Sequence, residues 1–361
     1  EFLYRIYFAD KIGNLRTDNT RFLSERSLER RQKHNIEIDS TDYPISADYL
    51  SQILSLDNID YITHSKWFNR VVVAISDTSL NSKIRKFRFV EKMEKIPGLG
   101  VKSDHGSVID KLQDTITYAP SYNSEDIQNV VQNDMINIDF LHDRGYTGKN
   151  IMVALMDAGY SGANTMTSLQ HMFTNNRVVD AYDFVDNDTY VYHGSVHGTF
   201  VWSVMAGQIE NEYMGIAPDA TYLLLRSEDG SSETVIEEDF WVAAAEFADS
   251  AGADILNTSL GYTQFDDSLQ NHAYEDLDGS TTIITLGAEM AASKGMLVVN
   301  SAGNLGAVKW RFISPPADGQ HVLTVGSVDL EGAVSGFSSR GPSADGRMKP
   351  NVVAPGQGVS I

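Results

Sequence analysis

Six short segments of this chain are apolar along almost their whole length and turn polar only at their carboxyl ends. They are "NIMVALMDAG" (150–159), "ATYLLLRS" (220–227), "ADILNTSLG" (253–261), "GMLVVNSAGN" (295–304), "HVLTVGSVD" (321–329) and "NVVAPG" (351–356). A strand that alternates apolar and polar residues can leave one face in water; a strand without that alternation is buried on both. Helical stretches lie between several of them, at 231–252 around "EEDFWVAAAEFA" and at 283–294. Buried strands alternating with helices predict an α/β fold with a largely parallel central sheet covered by helices on both faces. Ligand-handling residues of such sheets collect beyond the carboxyl ends of the strands. The polar residues Asp157, Asn257, Ser259 and Asn304 fall there.

The first hundred residues have another character. A strand is expected over 2–9, a helix over 22–35 capped by Ser24, and a second over 46–56 capped by Ser46. One or two β-rich segments occupy 60–76, and 80–94 reads as a short helix leading into a strand. This rhythm predicts a small α+β domain over 1–95. A Gly/Pro/Ser-rich connector follows at 96–124, then the main domain at 125–361, whose first element is a helix over 133–148 ending at Gly145. Charge divides the same way. Residues 1–100 carry 16 Lys/Arg against 14 Asp/Glu, and 101–361 carry 12 against 35, for a net charge of −21. An acidic body repels nucleic acid and anionic membranes, and attracts cations, a basic partner or the chain's own first region. No apolar run reaches the ~18–20 residues of a membrane-spanning helix. With no cysteine, disulfides, thiolate metal sites and a cysteine nucleophile are excluded within these residues.

Residues 192–207, "YHGSVHGTFVWSVMAG", bring two histidines into this frame. His197 stands at the mouth of a helix, where Gly198 permits close backbone approach and Thr199 can cap or orient. Taken alone, it could equally be a buried helix-start histidine. The i,i+4 pair with His193 lacks the glutamate of a zinc-protease HExxH. Asp157 by itself fits a helix cap or a ribose ligand as well as catalysis. Asn304, after Gly303, can donate to charge developing on a substrate oxygen, or simply form a turn. "NTSLG" (257–261) offers extended backbone to which a peptide could add as a strand, or is an ordinary strand end. Upstream of the histidines, "VVDAYDFVDNDTYVYH" (178–193) crowds Asp180, Asp183, Asp186 and Asp188. Asp183, Asp186 and Asp188 are candidate ligands for a structural Ca²⁺, and the alternative is a solvated acidic loop.

Together, "VALMDAG", "HGTFVWSVMAG", "GIAPDA", "NTSLG", "VVNSAGN", "VLTVGSVD" and "FSSRGPSADGRMKPNVVAPG" closely resemble the subtilisin-like serine proteases, the subtilases of peptidase family S8, over roughly 130–361. The first region resembles their inhibitory propeptide, a ferredoxin-like domain, in the variant of secreted Bacteroidetes-type proteases. The resemblance implies a serine endopeptidase in proenzyme form that hydrolyses peptide bonds through an Asp-His-Ser triad. Asp157 would orient His197, the general base and then acid; Asn304 would form part of the oxyanion hole; Ser259, Leu260 and Gly261 would lie along the substrate. No cofactor is required for that chemistry. Ala158 after the aspartate and Phe200 after "HGT" depart from the commoner residues of the family.

The family carries its nucleophile in a "GTS"-type motif some tens of residues after "APG". That motif is not in 1–361. Ser360 lacks the preceding Gly-Thr and a following helix, and Ser301, Ser335 and Ser338 fit no better. The nucleophile is therefore expected beyond Ile361, in a C-terminal continuation or fragment. The expected partners are a protein or peptide substrate and the chain's own propeptide as inhibitor, with a maturation cut within 95–124. A secreted, periplasmic or cell-surface location follows from the resemblance. The alternative is a catalytically inactive subtilase-fold binding protein. A nucleotide-binding α/β protein is disfavoured, because no strand leads into a GxGxxG or GxxxxGK[ST] loop.

Overall fold

The structure, a computed structural model, describes residues 1–11, 22–97 and 129–361. In the first region, β1 (Phe2–Phe8), β2 (Ile59–Ser65), β3 (Arg70–Ile75) and β4 (Val90–Lys95) form an antiparallel sheet in the order β2-β3-β1-β4. The helices Glu25–Lys33 and Ala47–Leu54 lie between β1 and β2. Ser24 and Ser46 cap them, accepting hydrogen bonds from the N–H groups of Ser27 and Tyr49, which satisfies donors a helix start leaves open. Strand alternation sends Tyr4, Ile6 and Phe8 of β1, with Val71, Val73 and Ile75 of β3, into a core shared with Ile53 and Ile84. Val72, Trp67 and Leu3 belong instead to the core of the second region.

That second region contains β5 (Met152–Asp157), β6 (Val178–Asp183), a small hairpin of β7 (Gln208–Ile209) and β8 (Tyr213–Met214), β9 (Thr221–Arg226), β10 (Ile255–Thr258), β11 (Leu297–Ser301), β12 (Val322–Val328) and β13 (Val352–Pro355). All but the hairpin join a seven-stranded parallel sheet, ordered β13-β12-β11-β10-β5-β9-β6. The chain builds one wing from β5, β9 and β6 and the other from β10 to β13, so the switch in direction falls between β5 and β10. Met152, Ala154 and Met156 pack with Trp241, Ala245 and Ala288 of the helices Ile236–Ala251 and Ile283–Ser293. Val153 and Leu155 face the other way, toward Trp202 and Ala206 of the helix His197–Ala206. Trp202 and Trp241 are both fully buried, and truncating either would remove about 3–5 kcal/mol of packing. The same alternation places Asp157 on the side of the His197 helix.

Two expectations change. The helix expected over 133–148 is two short ones, Val130–Asp134 and Ile138–His142. Asn137 between them is left-handed, with φ of 57°, a conformation that cannot continue a right-handed helix. The acidic run from 178 is not all loop, because Val178–Asp183 forms the edge strand of the sheet. The expected connector, 96–124, lies outside the described residues apart from Ile96 and Pro97.

The charge asymmetry resolves into a buried interface. On the helix Ile236–Ala251, Asp239, Glu246 and Asp249 are all at most 6% exposed, at a spacing that keeps them on one face. Arg5 and Arg70 bind Asp239 at 2.7 and 2.5 Å. Arg30 and Arg31 bind Asp249, with Lys66 3.6 Å away. Glu246 accepts the N–H groups of Lys66 and Trp67 and the hydroxyl of Ser65. From the other direction, Lys294 reaches Asp42 at 3.1 Å. Burial pushes the Glu246 carboxyl above its ordinary range, opposed by the Lys66 charge and these hydrogen bonds.

Candidate active site

Asp157 closes β5, and its register partner on β9 is Arg226. Its side chain is fully buried. Oδ1 accepts the N–H of Ala158 at 2.8 Å, and both carboxylate oxygens lie 2.9 Å from Nδ1 of His197. A carboxylate only accepts, so Nδ1 carries the proton and Nε2 is left as the basic nitrogen. The His197 side chain remains 20% exposed, so the ring is held by Asp157 without being sealed from solvent.

Glycines set this distance. A Cβ on Gly198 would sit 2.4 Å from the Gly159 carbonyl oxygen and 2.9 Å from the Asp157 Cβ. Thr199 donates to the Ser161 carbonyl at 2.9 Å, and the Ser195 hydroxyl accepts the His197 N–H at 3.1 Å. Gly198→Ala is therefore expected to destabilise the chain by about 1–3 kcal/mol through overpacking. Urea unfolding tests this, and an unchanged midpoint would contradict it.

The other site residues border the same strand ends. Ser259 and Leu260 directly follow β10, and the Leu260 carbonyl accepts from the buried Asn300 side chain at 3.3 Å. Gly261 and Asn304 are exposed. Gly303, with φ of +99°, turns the chain into Asn304. A Cβ on Gly261 would lie 2.7 Å from the Ser314 Cβ, and one on Gly303 would lie 2.9 Å from the Ser314 hydroxyl. Ser314, buried and unremarked in the sequence, thus supports both segments from beneath. Its signal was the "SPP" that follows "RFI".

The acidic run does not act as one set. Asp183 and Asp186 both bind Nη1 of Arg226, at 2.8 and 2.7 Å. His193 Nε2 lies 3.1 Å from Asp183, and these two carboxylates with His193 are the one metal-competent grouping among the described residues. Asp188 instead pairs its backbone with Asp183 and accepts the N–H of Tyr190. Arg226 and His193 were the members that charge counting missed.

The serines near glycine are engaged elsewhere. Ser335 bonds Ser327 at 2.7 Å, and Ser338 accepts the Ser327 N–H at 3.0 Å. Ser360 is held by its backbone, through Gln132 and the hydroxyl of Tyr213. A Cβ on Gly207 would meet the Tyr213 ring at 2.9 Å, so Ser360 lies by the carboxyl end of the helix that His197 begins. Ten residues at 1.5 Å put that end ~15 Å from His197.

Comparison with known proteins agrees with this architecture. The Subtilase family profile, Peptidase S8, matches residues 148–360, and the Bacteroidota S8 propeptide domain matches 3–107. Human membrane-bound transcription factor site-1 protease is 30% identical over 227 residues, covering 61% of this chain and 19% of that protein. Serine protease AprX of Bacillus subtilis is 29% identical over 229 residues, covering 59% and 48%. The chain thus spans less than half the length of either relative. In fold, it is similar to the epidermin leader peptide processing serine protease of Staphylococcus aureus, with a TM-score of 0.56, 14% identity and coverage of 99% of this chain and 75% of that one. With a family match over 148–360, on a parallel sheet whose strand β5 ends at Asp157 against the helix start at His197, the chain belongs to the subtilase family of serine proteases and carries a Bacteroidota-type S8 propeptide domain.

Proposed function

We propose that the protein is the proenzyme of a serine endopeptidase in which Asp157 and His197 form two thirds of an Asp-His-Ser triad. The serine is supplied by sequence following Ile361. The observation that carries this reading is the buried Asp157 carboxylate on His197 Nδ1, at 2.9 Å from both oxygens. His197 Nε2 takes the serine proton as the hydroxyl attacks the scissile carbonyl, then returns it to the leaving amine. Asp157 holds the Nδ1 proton and stabilises the imidazolium. Asn304 donates to the oxyanion, and Ser259, Leu260 and Gly261 pair with the substrate backbone as an added strand.

In this reading residues 1–95 are the propeptide, 96–124 the connector and 125–361 belong to the catalytic domain. The propeptide inhibits in place until the connector is cut, and the protease works outside the cytoplasm. The Bacteroidota-type propeptide match and the buried ionic interface support this order. The test is to purify the intact natural polypeptide, sequence the new N-terminus it generates and assay casein hydrolysis. A self-generated terminus within 95–124, accompanied by casein cleavage, is the expected result. A folded, full-length protein that neither cuts itself nor cleaves casein would favour an inactive binding protein.

A further inference from the structure

We propose that Arg226, gripped by Asp183 and Asp186, is a positioning residue for His197, acting through the turn that runs from His193 to Ser195. The proposal rests on the Asp157–His197 reading above.

Three neighbouring strands end in register. Asp157 of β5 pairs with Arg226 of β9, which pairs with Asp183 of β6. Arg226 is 5% exposed and Asp183 fully buried, so neither charge is satisfied by water. Nη1 of Arg226 binds both Asp183 and Asp186, and His193 Nε2 approaches the same Asp183 oxygen at 3.1 Å. A Cβ on Gly194 would lie 3.2 Å from Arg226 Nε and 2.7 Å from the Ala158 carbonyl oxygen. The guanidinium therefore packs directly beneath the 193–195 turn.

That turn is joined to the Asp157 strand end through backbone contacts. Gly194 bridges Gly159, Ser195 donates its N–H to Ala158 at 3.2 Å, and Ser161 donates to the Ser195 carbonyl at 3.1 Å. The Ser195 hydroxyl then accepts the N–H of His197. A continuous set of contacts runs from Arg226 through Gly194 and Ser195 to the first residue of the histidine's helix. The two carboxylates already hold a cation from the chain itself, and their third neighbour is an imidazole. This donor set fits a guanidinium rather than calcium, which takes six to eight oxygens. The relay is thus expected to work without added metal.

The test uses the whole chain and the low-field proton NMR signal of His197 Nδ1–H, assigned by its loss in Asp157→Asn. In Arg226→Met that signal is expected to broaden, with exchange against water faster by about ten-fold. Arg226→Lys, which keeps the charge but not the fork, should recover part of it. In the active natural polypeptide kcat is expected to fall by about 10²-fold, with KM little changed. If Arg226→Met does not fold, Arg226→Lys and His193→Gln carry the test, each with a smaller but measurable broadening. An unchanged signal in a folded Arg226→Met, or in both milder variants, would overturn the relay while leaving the Asp157–His197 pair intact. Absence of any Asp157-dependent signal in the parent chain would overturn the pair and the relay with it. Calcium or EDTA should leave the parent signal unmoved; a calcium-dependent shift would mean that an ion, and not Arg226, occupies the carboxylates.

Discussion

Asp157→Asn is expected to lower kcat of the active natural polypeptide by about 10⁴-fold, with KM within a few-fold of the parent. The cause is tautomeric. The carboxylate can only accept, and it holds the Nδ1 proton of His197 with both oxygens 2.9 Å away. An asparagine amide can turn its NH₂ toward Nδ1, which moves the imidazole proton to Nε2, where it can no longer accept one from a serine. Geometry is barely disturbed, because the amide oxygen can still take the Ala158 N–H. Initial-rate kinetics separate the two parameters. A loss below ten-fold would show that His197 does not depend on Asp157 as a base.

Asp249→Ala is expected to have the largest effect on how the two regions hold together. It strips a buried partner from Arg30 and Arg31 and a neighbouring charge from Lys66. Removing one member of a buried ionic group costs about 3–5 kcal/mol in a low-dielectric setting; here Arg30 loses its carboxylate, while Arg31 keeps Asp42 at 2.8 Å. At about 1.4 kcal/mol per factor of ten, opening of the interface becomes about 10²–10⁴-fold more frequent. Hydrogen exchange of the intact chain reads this directly, with faster exchange expected in the helix Glu25–Lys33. The mutation deletes one carboxylate whose partners, Arg30, Arg31 and Lys66, all belong to the first region, so β5 and β9 should keep their protection. Unchanged exchange at Glu25–Lys33 would mean that apolar contacts such as Val72 and Trp67 hold the interface alone.

How much of this was legible beforehand varied with how local the determining physics is. The six apolar strands and the caps at Ser24 and Ser46 were readable, because continuous burial and capping are written in neighbouring residues. The strand Val178–Asp183 was not. As the edge of the sheet it has one neighbour, so it tolerates Asp180 and Asp183 and presents the acidic composition of a loop. Its cation, Arg226, stood at the end of "ATYLLLRS", where the apolar residues dominated the reading. Asn137 broke the expected helix at 133–148 through a single backbone angle that no pattern of hydrophobicity reports. The charge counts announced attraction between the two regions, but the pairing of Arg5 and Arg70 with Asp239 depends on how a sheet docks on a distant helix. At the site, the resemblance of the motifs pointed to Asp157 and His197, whose side chains the fold brings within 2.9 Å of each other. Ser314 escaped because its role is to lie beneath two glycines from different segments.

The most direct test of the central claim is to label the intact natural polypeptide with a fluorophosphonate and map the adduct by peptide mass spectrometry, with His197→Ala as control. The account predicts one modified serine in the sequence following Ile361, whose labelling is lost in the control. An adduct on a serine within residues 1–361, or labelling that persists undiminished without His197, would contradict it.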